Sequence, residues 1–542
     1  MKLQKLILAT SLLLSFTAFS QKINADLIVT NAKVYTVNKN FDTVQAFAVK
    51  NGKILGLGTS SEIAKKYTSK KIVDAADKYV YPGFYDAHAH FYSFGLNLQK
   101  VDLRGTKSYQ EVLDRVIKFQ KERNVDFITG RGWDQNDWAV KEFPTKAELD
   151  KLFPNTPVVL TRIDGHALLA NSKALELAKI TSTTKVQGGE IQVKNGETTG
   201  IVIDNPMDLV YNIIPKPKKE TQIKALKDAE KVMFDYGLTT INEAGLEKDI
   251  IDLIDTLQQR KELKINVYAM VMASQENVDL YTQLGPYQTD NLNVRSFKFM
   301  GDGALGSRGA CLHKPYSDRP NHYGALLSSV ADIKRIAKQI AESEYQMNSH
   351  AIGDSTNTVL LNIYKEVLKG KTDRRWKIEH AQIMQEKDFD SFSLNIIPSV
   401  QPTHATSDMY WAEERVGKER IKHSYAYKKM LDKAGIIALG TDFPIEEVNP
   451  MYTFYAAVAR KDLKNYPEGG FQPENALSRE ETLKGMTIWA AYSNFEEKEK
   501  GSLEVGKWAD FTIFDNDLLT EDIDAIPYIK PTNTFIKGIQ VK

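Results

Sequence analysis

The stretch Tyr81-Pro82-Gly83-Phe84-Tyr85-Asp86-Ala87-His88-Ala89-His90 decides how the rest of the chain is read. An apolar run enters through Val80 and Phe84 and ends in two histidines spaced i, i+2. Alternate side chains of a strand share one face, so His88 and His90 would point the same way. Ala87 and Ala89 would turn to the opposite side, where small side chains admit a covering helix. Paired imidazoles at the end of a buried strand are the beginning of a metal site. A bare His-x-His is also a common accident, so a real site must draw further ligands from elsewhere in the chain.

Working outward, apolar β runs alternate with helical patterns, which calls for βα units and a parallel sheet. Eight runs stand out, at 84–90, 239–243, 265–271, 294–300, 346–350, 376–380, 396–401 and 436–442, with helical stretches such as 333–343 and 357–368 between them. Eight successive parallel segments predict an α/β fold of the (β/α)8 TIM barrel type; a doubly wound open sheet is the alternative. The gap from His90 to Thr239 far exceeds a βαβ unit, so an insertion is expected after strand 1, at about 95–235. It contains β runs at 126–130 and 157–163, a helical reading over 167–180, and hairpin signals at Gly188-Gly189 and Asn195-Gly196. Short β segments also fill 25–80, with a hairpin at Asn51-Gly52, and the same texture returns at 509–514 and 534–536. A small β-sandwich built from both chain ends, 21–83 and 497–542, is therefore expected beside a barrel spanning 84–496.

In a TIM barrel the reactive face lies at the C-terminal ends of the strands. Strand 1 ends in His88 and His90, strand 4 carries Lys298, strand 5 ends at His350, strand 6 at His380, and strand 8 runs into Gly440-Thr441-Asp442. Four of the chain's nine histidines fall on these ends, which random placement would rarely produce. Gly301-Asp302-Gly303-Ala304-Leu305-Gly306 fits G-x-G-x-x-G, but Pro315 and Pro320 deny it a following helix. No acid stands some 20 residues on, as a dinucleotide site needs. A tight strand-to-loop turn beside Lys298 is the better reading.

Composition sets outer limits. The chain has 542 residues, 42% apolar and 26% charged, with a formal net charge of +1, so it shows no electrostatic footprint for nucleic acid or an anionic membrane. Lys2 and Lys5 precede the apolar run 6–19, and Ala18-Phe19-Ser20 offers small residues before Gln21. That pattern is a cleaved secretory signal peptide over 1–20, too short to span a membrane, and it implies export to the periplasm or medium. Cys311 is the only cysteine, so no intrachain disulfide can form.

The chain resembles the amidohydrolase superfamily of metal-dependent hydrolases, specifically its YtcJ-like branch (amidohydrolase family 3). The resemblance is carried by Pro-Gly-Phe-Tyr-Asp-Ala-His-Ala-His at 82–90, Asp-Gly-His-Ala at 164–167 with Asn171-Ser172, and Lys298-Phe-Met-Gly-Asp-Gly. It continues through His350-Ala-Ile-Gly-Asp, Glu379-His380-Ala-Gln, Gln401-Pro-Thr-His, Gly440-Thr-Asp-Phe-Pro and the closing Gly501-Ser-Leu-Glu-Val-Gly-Lys-Trp-Ala-Asp-Phe. It implies that His88 and His90 bind one divalent metal with Asp442, that His350 and His380 bind a second, and that Lys298, carboxylated to a carbamate, bridges the two. Zinc suits such ligands. Asp442 would shuttle the proton from the attacking water to the leaving nitrogen. Asp86 would orient a ligand without itself binding metal. His166, Trp133, Gln401, His404 and Arg308 are candidates for touching substrate. The implied reaction is hydrolysis of a non-peptide, amide-type C–N bond in a small molecule: an N-substituted formamide, N-acyl amine or cyclic amide. An ester or lactone hydrolase at the same centre, or a non-catalytic binding or regulatory protein keeping the fold, are the alternatives. The resemblance admits a homodimer, and nothing in the sequence decides it.

Overall fold

Parallel strands buried on both faces read as near-continuous apolar runs, and those runs are where the strands form. The computed structural model describes residues 22–163, 165, 167–186, 189–371 and 373–542; the expected signal peptide, His166 and Gly188 lie outside the described residues. Among the described residues, eight parallel strands follow one another around a single layer. They are β1 (Phe84–Ala89), β2 (Leu238–Leu246), β3 (Asn266–Met272), β4 (Leu292–Met300), β5 (Gln346–Ala351), β6 (Lys377–His380), β7 (Ile397–Val400) and β8 (Ala438–Leu439). Their spatial order is their chain order, whereas a doubly wound sheet reverses at a switch point. Closure comes just past β8, where the Asp442 amide donates to the His88 carbonyl (2.7 Å) and the His90 amide to the Phe443 carbonyl (2.8 Å).

The outer helices are amphipathic. Val330–Ala341 buries Ile333, Ile336, Ala337 and Ile340, and its Ser329 cap accepts from the Asp332 amide. Ala87 of β1 packs with Ala490 and Ala491 of helix Ile488–Ser493, the covering helix that small side chains admit.

The two chain ends share one sheet: Phe511–Phe514 pairs antiparallel with Tyr79–Pro82, which pairs parallel with Lys33–Tyr35. A four-stranded sheet that includes Leu27–Thr30 and Ala46–Lys50 packs over it on a core of Val29, Phe47, Phe511 and Phe535. The insertion after β1 is a six-stranded sheet with its own cores. Asn195 and Gly196 both take positive φ (54° and 84°) in its hairpin, as a two-residue turn requires. The helical reading over 167–180 is corrected: Ala167–Ala170 is a central strand, and only Ser172–Leu177 is helical. Four apolar residues buried on both faces carry no helical period, and Asn171, whose side chain accepts from the Ala174 amide, starts the helix after them. Among the described residues no helix is long and apolar enough to cross a membrane.

Candidate metal centre

His88 is fully buried at the end of β1, and its Nδ1 donates to Glu379 Oε2 at 2.6 Å. A carboxylate oxygen only accepts, so the proton sits on Nδ1 and Nε2 carries the lone pair. That Nε2 lies 3.1 Å from Lys298 Nζ and 3.6 Å from Asp442 Oδ1. His90 Nε2 stands 3.2 Å from the same Asp442 oxygen. The His380 ring centre lies 4.8 Å from that of His88 and 4.5 Å from that of His350. Ligand atoms of His88, His380 and Asp442 fall within 4.8 Å of one another, a spacing one cation can fill.

Two strained backbones make this convergence. His380 and Asp442 both adopt left-handed φ (72° and 63°), a conformation that costs about 1–3 kcal/mol for a non-glycine residue and clusters at functional sites. Strand alternation alone would send Glu379 and His380 to opposite faces. The turn at His380 lets Glu379 reach His88 while His380 itself swings beside it.

Burial sets the protonation states. It drives His88 and His380 well below the usual histidine value, and His350 down to about 3, with the neighbouring Lys298 lowering His88 and His350 further. These three imidazoles are neutral at pH 7, with lone pairs to offer. Burial alone would raise the Asp442 carboxyl, but His90, His88 and His404 hold it well below the ordinary carboxylate range. Burial also lowers the Lys298 amine.

The surrounding residues hold the ligands' backbones and rings. Asp86 accepts from the His88 amide (3.2 Å), the Thr441 amide (3.0 Å) and the Thr441 hydroxyl (2.7 Å), clasping β1 to the segment carrying Asp442. Gln401 Oε1 accepts from His380 Nδ1 at 2.7 Å, which leaves His380 Nε2 free; Gln401 thus supports a candidate ligand. His404 stacks on His380 with ring centres 5.8 Å apart, and its Nε2 is 3.5 Å from Asp442 Oδ2. Arg308 pairs with Asp318 (2.7 Å) in the loop after β4. Trp133 is 1% exposed. It packs against Trp138 and Phe143, and its indole N–H donates to the Leu160 carbonyl, so its ring belongs to the insertion's core and presents no face to a ligand. His166 lies outside the described residues.

Three buried carboxylates went unassigned a role in the sequence. Glu379 anchors His88. Asp302 accepts from the amides of Ile352 (3.0 Å), Gly353 (2.9 Å) and Cys311 (2.9 Å) and the Thr356 hydroxyl (2.7 Å), tying the loop after β4 to that after β5. No helix follows the glycine-rich turn that contains it. Glu243 accepts from the Phe91 and Tyr92 amides at the start of the helix that follows His90. The available signal was an acid within a barrel strand (Glu379, Glu243) or two residues past its end (Asp302), since an acid is rarely buried without a partner.

A model described as "Amidohydrolase family" matches residues 71–541. The putative amidohydrolase YtcJ of Bacillus subtilis is 29% identical over 93% of this chain and 97% of its own length. The N-substituted formamide deformylase of Arthrobacter pascens is 24% identical over 95% of this chain and 98% of its own. Among solved structures, an uncharacterized metal-dependent hydrolase from Pyrococcus furiosus superposes with a TM-score of 0.78 at 28% identity, covering 91% of this chain and 100% of that one.

Proposed function

The chain belongs to the amidohydrolase family, in its YtcJ-like branch, and from that premise we propose that it hydrolyses a non-peptide, amide-type C–N bond of a small molecule with a divalent metal. The observation that carries this reading is the meeting of His88, His380 and Asp442 at the C-terminal mouth of the barrel. The donor set fits a metal. His350 Nε2 is buried with no hydrogen-bond partner, a state that is costly unless a cation satisfies it, and Asp442 Oδ1 faces the imidazole nitrogens of His90 (3.2 Å) and His88 (3.6 Å). His88, His90 and Asp442 would hold one metal, His350 and His380 a second. Lys298 would bridge them once its amine adds to carbon dioxide and loses a proton, exchanging a poor ligand for a carbamate with two anionic oxygens. Imidazole and carboxylate donors favour zinc.

When bound, a divalent metal supplies Lewis acidity toward the carbonyl oxygen and lowers the pKa of water toward ~7. Asp442, kept ionised by the imidazoles around it, takes the proton of the attacking water and returns it to the departing nitrogen, which leaves readily only when protonated. Glu379 and Gln401 hold His88 and His380 in the tautomer that turns Nε2 to the centre. His404, beside Asp442, is placed to meet the substrate. The deformylase from A. pascens supports an N-substituted formamide as the first substrate class to examine. The signal-peptide pattern of residues 1–20 supports a periplasmic or secreted mature protein.

The test is turnover by the zinc-reconstituted protein of a panel of formamides, N-acyl amines, cyclic amides, esters and lactones. Hydrolysis of an amide, abolished by chelation and by Asp442→Asn, supports the reading. Turnover of esters or lactones alone, or of nothing by a metal-loaded protein, overturns the C–N assignment.

A further inference from the structure

The chemistry above makes no use of a lysine lying in the barrel interior beneath the strand ends. Lys377 and Glu379 are spaced i, i+2 on β6 and share its inward face, and both are 0% exposed. A barrel interior is ordinarily filled by layers of branched apolar side chains, so two buried charges here call for a reason. Glu379 Oε2 accepts from His88 Nδ1. Lys377 Nζ donates to Asn494 Oδ1 and lies 5.2 Å from the Tyr268 ring centre. Asn494 in turn donates to the Tyr85 hydroxyl and to Asn242 Oδ1. The lysine is thus fixed by a network spanning several strands and the segment after helix Ile488–Ser493, and with Lys298 it is one of two lysines whose charge acts on the buried Glu379 carboxylate.

We propose that Lys377 and Glu379 act as a positioning pair for the metal centre: Glu379 holds His88 with its proton on Nδ1 and Nε2 toward the metal, and Lys377 offsets the carboxylate's charge inside the barrel. The pair touches neither substrate nor metal and works through His88. A carboxylate behind a ligating imidazole fixes ring orientation and strengthens the nitrogen as a donor, and losing such a partner typically weakens metal binding by 10–100-fold. This inference rests on the metal-dependent reading of the site.

The experiment titrates metal-free protein with Zn2+ against a chromophoric chelator, with circular dichroism to establish folding and the cobalt-substituted absorption spectrum to report ligand geometry. Glu379→Gln is expected to bind zinc about 10–100-fold more weakly and to change the cobalt spectrum. Lys377→Met should shift both in the same direction, and Lys377→Arg, which keeps the charge, should restore them toward wild type. Folded Glu379→Gln and Lys377→Met proteins with wild-type affinity and spectrum would overturn the proposal. If Lys377→Met fails to fold, Lys377→Gln, which removes the charge and keeps a donor for Asn494, decides. Weaker zinc binding with a changed cobalt spectrum supports the pair; wild-type affinity and spectrum refute it. A wild-type chain that takes up no zinc would overturn the functional reading itself and the pair with it, an outcome separate from a metal-binding wild type whose variants are unaffected.

Discussion

Gly440→Ala tests how tightly the seam between β8 and β1 sets the site. A Cβ at Gly440 would lie 2.5 Å from the His88 amide nitrogen, 2.8 Å from Asp86 Oδ1 and 2.9 Å from the His88 carbonyl oxygen. Ordinary Cβ contacts begin near 3.4 Å, so the two segments must separate by about 0.9 Å, and two of the three obstructing atoms are backbone and cannot rotate away. Overpacking of this kind costs about 1–3 kcal/mol of stability. The displacement falls on the segment that carries Asp442 and on the Asp86 bonds that clasp it to His88. A shift of about 1 Å at reacting groups costs roughly 10²-fold in rate, far more than the stability change implies for a protein still folded at assay temperature. The assay is thermal melting beside kcat and zinc affinity on the same preparation. A Gly440→Ala protein that melts lower but keeps wild-type kcat and zinc affinity would refute the claim that this seam positions the site.

Asp442→Asn is expected to fold and to lose about 10²–10⁴-fold in kcat; retention of more than a tenth of wild-type kcat would exclude it as the proton carrier. Burial raises Glu243 from its ordinary 4.5 to about 8, against the two amides that it accepts from. A raised folded value makes its contribution full below about 4.5 and lost as pH climbs toward about 8, at up to about 1.4 kcal/mol per unit. Glu243→Gln keeps the acceptor for Phe91 and Tyr92, so denaturant titrations should show a flatter loss across that window, and an unchanged slope would contradict the assignment. Trp133→Phe removes the hydrogen bond to the Leu160 carbonyl and should cost about 1 kcal/mol with KM unmoved. A several-fold change in KM would return that residue to the binding surface.

The barrel was legible because its strands are buried on both faces, so each run from 84–90 to 396–401 matches a strand to within three residues at either end. The ligand candidates were legible because they stand at strand ends, a place with a known meaning in this fold. What supports them was not. Glu379 follows His88 by 291 positions, and strand alternation predicts that it faces away from His380; only the left-handed backbone at His380 overturns that. Asp302 and Asp86 work mainly through backbone amides, which leave no residue-type signature in their partners. Ala167–Ala170 failed for a local reason, since four consecutive apolar residues suit a helix or a central strand equally well. Trp133 packs its ring in the insertion's own core, a placement that residue type alone does not separate from a ligand-facing one.

The central claim is a metal centre built by His88, His380 and Asp442. Its most direct test is elemental analysis of wild-type protein and of the His88→Ala and His380→Ala variants after dialysis against zinc and removal of the free metal. The account predicts zinc retained in stoichiometric amount by the wild type and largely lost by both folded variants. A wild type without bound metal, or variants that keep the full amount, would contradict it.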